Sequence, residues 1–245
     1  MEPESKSKIN ISPSVAILIA GVLIAGAVFW SSKGSAPNTV ANAQQAGQAQ
    51  AQVAPQIAVD ISKVNIQGEP FIGQPNAPVT IAYWFDYQCP FCQRNEETAM
   101  PQLIKEYVDT GKVKLVFKDY QFLGADSQTA GLAARAVWEV APDKFYQWHK
   151  AMYDNQGQEN SGWATKDKVL IITKPVLGAA DTTKVSQLMD SKATEYQKAM
   201  DADKAEGTAM GVSGTPAMII GTQLISGAQP YTSFKQAIDL ALQKK

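Results

Sequence analysis

The sequence predicts an α/β domain, a β/α sheet unit interrupted by a helical insert and preceded by an N-terminal transmembrane helix and a flexible linker. Three observations predict it. Pro78 to Asp86 (PVTIAYWFD) is almost continuously apolar and aromatic, as a strand buried on both faces is. The stretch after it has helical spacing and leads into a second, alternating strand. A long helical region then separates these elements from a C-terminal hairpin and helix.

The chain has 245 residues, enough for one large domain or two small ones, and a net charge of −1. No basic run with interleaved aromatics points to nucleic acid, and no internal repeat is visible. The two cysteines share one tetrapeptide and the only histidine is His149. Two cysteines cannot complete a zinc site within one chain or make a second disulfide, so no metal or cofactor is expected.

Val15 to Trp30 (VAILIAGVLIAGAVFW) is an unbroken apolar and glycine run. As a helix it would span roughly 24 Å, slightly short of a hydrocarbon core of about 30 Å; Ile9 and Ile11 can extend it, and Trp30 suits an interface. A cleaved signal peptide competes with an uncleaved anchor. Ala41-Asn42-Ala43 has the small-x-small form of a cleavage site but lies well past the apolar run, which favours a signal anchor at residues 15–30. Lys6 and Lys8 before the run, against Lys33 after it, place residues 1–14 in the cytoplasm. Residues 31–56, rich in Ala, Gln, Ser, Asn and Gly, cannot bury enough apolar surface to fold. Such a coil would reach roughly 25–30 Å root-mean-square, letting a folded domain over 57–245 meet membrane partners on the extracytoplasmic side.

Within that domain Cys89-Pro90 follows the first strand directly, and proline favours the first helical position. Leu103/Tyr107 and Ile104/Val108 are i,i+4 pairs, Pro101 should kink the helix, and Gly111 should stop it. From Lys112 to Lys118 the pattern alternates: Val113, Leu115 and Phe117 on one side, three lysines and Val116 on a wetter one. Strand, helix and strand imply a βαβ unit. Residues from about 126 to 209 read as helical. Phe145, Trp148 and Met152 make one stripe, and Leu188, Met189 and Met200 mark a later helix ending near Gly211. Thr215 to Thr222 and Gln223 to Ser226 form a hairpin turning near Gly221, and a last helix starts at about Tyr231 with Phe234 and Ile238 inward.

Cys89-Pro90-Phe91-Cys92 is a C-x-x-C motif at a strand-to-helix junction. Unpaired N–H groups and the helix dipole favour negative charge there, so the Cys89 thiolate should be stabilised, and thiols in such places ionise well below about 8.5. A low-pKa thiol is a good leaving group in thiol–disulfide exchange. Cys89 should be the exposed, attacked sulfur, and Cys92, one turn into the helix, the buried resolving one. A structural disulfide, or half of a zinc site shared by two chains, are the alternatives for such a pair. Gly214-Thr215-Pro216 opens the hairpin; Pro216 cannot donate to a ladder, and the Thr215-Pro216 bond is a candidate for the cis form.

The run DYQCPFC, a helical stretch, then GVSGTPAMIIGTQLISGA and a last helix resembles the DsbA-like branch of the thioredoxin superfamily over about residues 57–245. The resemblance implies a thioredoxin fold with an inserted helical subdomain, with Cys89 as nucleophile, Cys92 as resolving cysteine and Thr215-Pro216 as a cis-proline loop beside them. It implies that Thr215 pairs with an extended substrate, with Pro90 and Phe91 also on the substrate side. One departure stands out: many members carry a buried acid six residues before the first cysteine, used to move the second cysteine's proton, and that position here is Tyr83. Asp86, Glu96 and Glu97 are near in sequence, but none matches it. Asp86, if close, would raise the cysteine pKa. His149 reads as a surface or groove residue. The function expected is an oxidase donating disulfides to reduced secreted polypeptides and reoxidised by a quinone-linked membrane protein of the DsbB or VKOR kind. A reductase or isomerase fed by a membrane electron donor, and a non-catalytic binding or chaperone module, are the alternatives.

Overall fold

The computed structural model describes residues 59–244; the expected cytoplasmic segment 1–14, anchor 15–30 and linker 31–56 lie outside the described residues. Among the described residues no helix is long and apolar enough to cross a membrane.

The sheet has five strands in the order β1-β3-β2-β4-β5: β1 Phe71–Ile72, β2 Val79–Phe85, β3 Val113–Asp119, β4 Ala217–Ile220 and β5 Gln223–Ser226. β2 and β3 run parallel from Val79↔Val113 to Phe85↔Asp119, while β1, β4 and β5 join antiparallel. β2 is central and buried on both faces: Ile81, Tyr83 and Phe85 enter the large core under the helices, and Ala82 and Trp84 a second one with Val212 and Ile219. That is why its sequence does not alternate.

The β2–β3 crossover is a broken helix. α1 spans Pro90–Thr98, α2 Met100–Leu103, and a π-helical turn follows over Ile104–Val108. Pro101, which offers no N–H to the ladder, sits at the break, so the expected kink is a discontinuity. Gly111 ends the crossover with φ +72°, a conformation glycine adopts without strain.

The insert has α3 Ala125–Val140, α4 Phe145–Asp154, α5 Lys166–Leu177, α6 Ala179–Ser191 and α7 Ala193–Ala209. The single later helix expected through Leu188, Met189 and Met200 is therefore two, broken at Lys192 (φ −112°, ψ 14°). α8, Tyr231–Leu242, closes the chain with Phe234 and Ile238 buried. The β4–β5 hairpin turns at Gly221, φ +59°.

β3 corrects the sequence reading. Its supposedly wet side closes along its length: Lys112 is exposed and Lys114 half-buried, but Val116 is buried and Lys118 is 1% exposed. Its ammonium pairs with Asp203, with Glu206 at 3.1 Å and with Glu69 at 3.4 Å. Arg135 on α3 binds Glu69 at 2.7 Å, Asp119 at 2.6 Å and Asp203. Asp203 also accepts the Asp119 N–H at 2.9 Å, and its carbonyl accepts from Trp84 Nε1 at 3.0 Å. α7 is thus fixed to the sheet by buried ion pairs. At Gly207 it approaches so closely that a Cβ would lie 2.6 Å from Trp84 Nε1. An alternating strand pattern cannot reveal that the lysine side meets carboxylates rather than water.

Candidate active site

Cys89 is the N-cap of α1, at φ −72° and ψ 117°, and Pro90 takes the first helical position. The polypeptide leaves the carboxyl end of β2, turns through Asp86–Gln88 and enters the helix at the cysteine. Asp86 shapes this turn: its carboxylate accepts the N–H groups of Gln88 (2.8 Å), Phe122 (2.8 Å) and Leu123 (3.1 Å) and the Ser127 hydroxyl (2.6 Å). Burial raises its pKa against those bonds. Asp86 is engaged with the loop, and the leading influences on Cys89 do not include it.

The insert grips the same turn. Tyr153 donates its hydroxyl to the Asp86 carbonyl at 3.1 Å, and the Gln156 amide reaches the carbonyls of Tyr87 (2.7 Å) and Cys89 (3.2 Å). Gln88 is held by the Ser127 hydroxyl at 3.0 Å and the Asn160 N–H at 2.7 Å. Helices distant in sequence therefore fix where the first cysteine sits.

The two cysteines are unbridged and both are largely covered, Cys89 at 5% exposure and Cys92 at 0%. The expected order holds, but Cys89 is only narrowly open rather than exposed. Its thiol faces the Thr215 carbonyl at 3.3 Å. The Thr215–Pro216 bond is cis, and the hairpin's entry lies against the Cys89 sulfur. Pro216 is buried, Thr215 half-buried, and Pro90 and Phe91 are exposed, with Phe91 53% open under the Arg94 guanidinium (5.2 Å to the ring centre).

Acidity divides the pair. Hydrogen bonding from Cys92 lowers the Cys89 pKa to about 6; the Thr215 side chain and the Phe91 and Cys92 backbone N–H groups help, and partial burial opposes them. Burial pushes Cys92 well above an ordinary thiol, reinforced by the hydrogen bond and charge of Cys89. One sulfur is an anion near neutral pH and the other holds its proton. That arrangement stabilises the dithiol state and makes a disulfide between them a ready electron acceptor.

The family is decided by comparison. The thioredoxin family profile matches residues 65–240. The chain belongs to the thioredoxin family. The "Probable disulfide bond formation protein D" of Bacillus cereus is 32% identical over 174 residues, 71% of this chain and 78% of that protein. "Disulfide bond formation protein D" of Bacillus subtilis is 29% identical over 188 residues, covering 74% of this chain and 80% of that protein. Oxidised BdbD from Bacillus subtilis superposes with a TM-score of 0.68 at 25% identity, covering 77% of this chain and 98% of that one. Chlamydia trachomatis DsbA shares the fold at a TM-score of 0.65 and 20% identity, over 74% and 95% of the two chains. This is a DsbA-like thiol–disulfide oxidoreductase, an enzyme with the thioredoxin fold and an inserted helical subdomain.

Sequence reading missed four residues of this DsbA-like site. Tyr153 and Gln156 hold the motif's backbone. Glu96 (1% exposed) and His149 (0%) are buried beside it, correcting the surface or groove placement of His149. His149 Nδ1 lies 3.0 Å from the Tyr87 hydroxyl and Nε2 3.4 Å from Glu96 Oε1, while Tyr146 donates to Glu96 Oε2 at 3.0 Å. A signal existed: His149 is four residues from both Phe145 and Tyr153, on the stripe that Trp148 and Met152 already mark as core.

Proposed function

We propose that the chain is an extracytoplasmic oxidase, anchored by residues 15–30, that donates the Cys89–Cys92 disulfide to reduced secreted polypeptides. The observation that carries this reading is the opposed acidity of the two thiols. A substrate thiolate attacks the Cys89 sulfur; a substrate–Cys89 bond forms, and the Cys89–Cys92 bond breaks with its electron pair on Cys92, which takes up a proton. A second substrate thiolate then attacks the substrate sulfur of the mixed disulfide and releases Cys89 as a stable thiolate, a good leaving group. Two electrons pass from substrate to enzyme.

Thr215 lines the entry and offers backbone groups to an extended segment, while Phe91 gives apolar surface beside the attacked sulfur. Names given to relatives, disulfide bond formation protein D among them, agree with the oxidising direction. Reoxidation falls to a quinone-linked membrane protein of the DsbB or VKOR kind, reachable from a domain on a flexible tether. A glutathione redox titration of the intact chain tests the direction. A potential at or above about −180 mV supports an oxidase, and one near −270 mV a reductase.

A further inference from the structure

Each turnover moves a proton on and off Cys92, a sulfur with no exposure. Tyr83 is buried beside it, and its hydroxyl, pushed well above its ordinary pKa chiefly by burial, takes no proton from a thiol. Glu96, one helical turn after Cys92, is a carboxylate buried on α1 itself. Side chains at i and i+4 lie about 5–6 Å apart at Cβ on one helix face, so Glu96 and Cys92 are neighbours on the buried face of α1.

Glu69, Asp119 and Asp203 meet Lys118 or Arg135, and Asp86 and Asp126 accept backbone N–H groups, but Glu96 is held in neither way. Among the described residues it pairs with no lysine or arginine. Its partners are the Tyr146 hydroxyl and His149, the latter at a loose 3.4 Å. The imidazole is buried in turn, with Tyr87 on its other nitrogen. Neutral His149 can accept Tyr87's proton at Nδ1 while donating Nε2–H to a carboxylate, and protonated His149 can face Glu96 as an ion pair. The pair thus has two hydrogen-bonded states differing by one proton. Tyr83 and Tyr153 lie near enough to both that charge on Cys92 and on Glu96 raises their pKa, behind the larger effect of burial. The Tyr83 hydroxyl and the Asn95 carboxamide there make no hydrogen bond within the described protein.

We propose that Glu96 and His149 form the internal proton store of Cys92. The inference rests on Cys89 being the attacked sulfur. When the enzyme is reoxidised by a disulfide donor, Cys89 is first joined to the donor's sulfur. The Cys92 proton passes to Glu96, with His149 sharing the charge. The Cys92 thiolate attacks Cys89, the Cys89–Cys92 bond forms, and the donor sulfur leaves with the electron pair and is protonated by solvent. Two electrons have left the enzyme. In substrate oxidation the stored proton returns to Cys92 as the disulfide opens. The other charged or titratable groups around the pair are Tyr83, Tyr87, Tyr146, Tyr153 and Cys89. Asp119 and Arg135 also act at Tyr87, and Asp154 at Tyr146.

The test follows one step. The reduced intact chain is mixed with oxidised glutathione and quenched in acid, and mass spectrometry records the Cys89–glutathione adduct as it forms and resolves, from pH 5.5 to 7.5. In the unaltered protein, resolution should vary little with pH. In Glu96→Gln it should be about 10–100-fold slower at pH 6, the scale of a lost general base, and should accelerate with pH as bulk base takes over. His149→Gln should move the same way by a smaller factor. Adduct formation, which reports Cys89, should stay near the unaltered rate in both. Wild-type resolution with a wild-type pH profile in both variants overturns the proposal. Should Glu96→Gln fail to give a native near-ultraviolet dichroism spectrum, His149→Gln decides alone by the same criterion. If the unaltered protein forms no adduct on Cys89, the fault lies with the assignment of the attacked sulfur, and the store falls with it.

Discussion

Two buried polar clusters lie on different parts of the sheet, and they are built by opposite rules. Around Lys118 and Arg135, two cations meet the carboxylates of Glu69, Asp119, Asp203 and Glu206, with a backbone N–H joining in. Under α1, Cys92, Glu96, His149, Tyr83 and Asn95 have no lysine or arginine among them and several unused hydrogen-bonding atoms. The first cluster is closed by charge and locks the insert to the sheet. The second is held by aromatic packing, with His149 edge-on to Phe85 (4.8 Å) and near Phe117 (4.8 Å), and its polar atoms keep spare capacity. The network around Lys118 and Arg135 holds its members by ion pairs, whereas those under α1 are held by hydroxyls, an imidazole and ring packing. The difference separates a structural use of buried charge from a chemical one.

The sharpest way to break the comparison is to exchange the losses. Cys89→Ser should abolish thiol exchange in an insulin-reduction or peptide-oxidation assay while leaving the unfolding midpoint nearly unchanged; retained exchange would show that Cys89 is not the attacked sulfur. Arg135→Met should do the reverse. It strands the Asp119 carboxylate, leaves Glu69 and Asp203 to Lys118 alone, and should cost about 3–5 kcal/mol in denaturant unfolding, with the redox potential of the surviving folded protein intact. A large shift in potential instead would mean that the two clusters are one system.

Gly207→Ala probes the packing that the ion pairs depend on. The added methyl would meet the Trp84 ring between 2.6 and 3.1 Å. Overpacking of this kind costs typically about 1–3 kcal/mol, read as a lower unfolding midpoint with unchanged Cys89 alkylation. A neutral outcome would show that α7 can slide on the sheet, which the bonds to Asp203 argue against.

The cysteine pair gives a pH test with a fixed sign. The Cys89 pKa falls from 9.0 in an open chain to about 6 in the fold. Thiolate stabilisation of the reduced protein is therefore complete above the open-chain value and is lost as pH falls through about 6. The oxidised protein has no such thiolate. Cys92 acts oppositely, but only near the upper end, where an open-chain thiol ionises. Thermal melts of both forms should show the reduced protein gaining on the oxidised one from pH 6 to 8. A constant gap over that range would deny the low pKa.

How much of this was legible in sequence depends on the range of the interaction. β2, the helix start at Cys89-Pro90, the hairpin at Gly221 and the inward faces of α8 follow from local periodicity and turn chemistry. The motif and the Thr215-Pro216 loop could be named because each is contiguous. What pairs with Lys118 could not, because Glu69 and Asp203 come from 49 and 85 positions away and a lysine on an alternating strand looks solvated. The grip of Tyr153 and Gln156 on the motif was hidden for the same reason. His149 is different: its periodicity was readable, and polarity alone argued for the surface. Stripe membership was the better guide, since a buried imidazole needs only two partners, and Tyr87 and Glu96 supply them.

The smallest expected effect is also the most discriminating between the two clusters. Tyr83→Phe removes one oxygen from a ring that is wholly buried and packed against Phe85 and Phe117. In the Lys118 network, deleting an oxygen would strand a charge. Here the hydroxyl has no charged partner and only the neutral Asn95 carboxamide beside it, so its loss strands no charge and removes a polar group from an apolar setting. The change in stability should be within about 1 kcal/mol and is as apt to be a gain as a loss. Denaturant unfolding of the reduced form checks it. A loss of several kcal/mol would show that Tyr83 is bonded as tightly as Asp203. The region under α1 would then be a second structural lock, and the contrast drawn between a closed network and an open one would disappear.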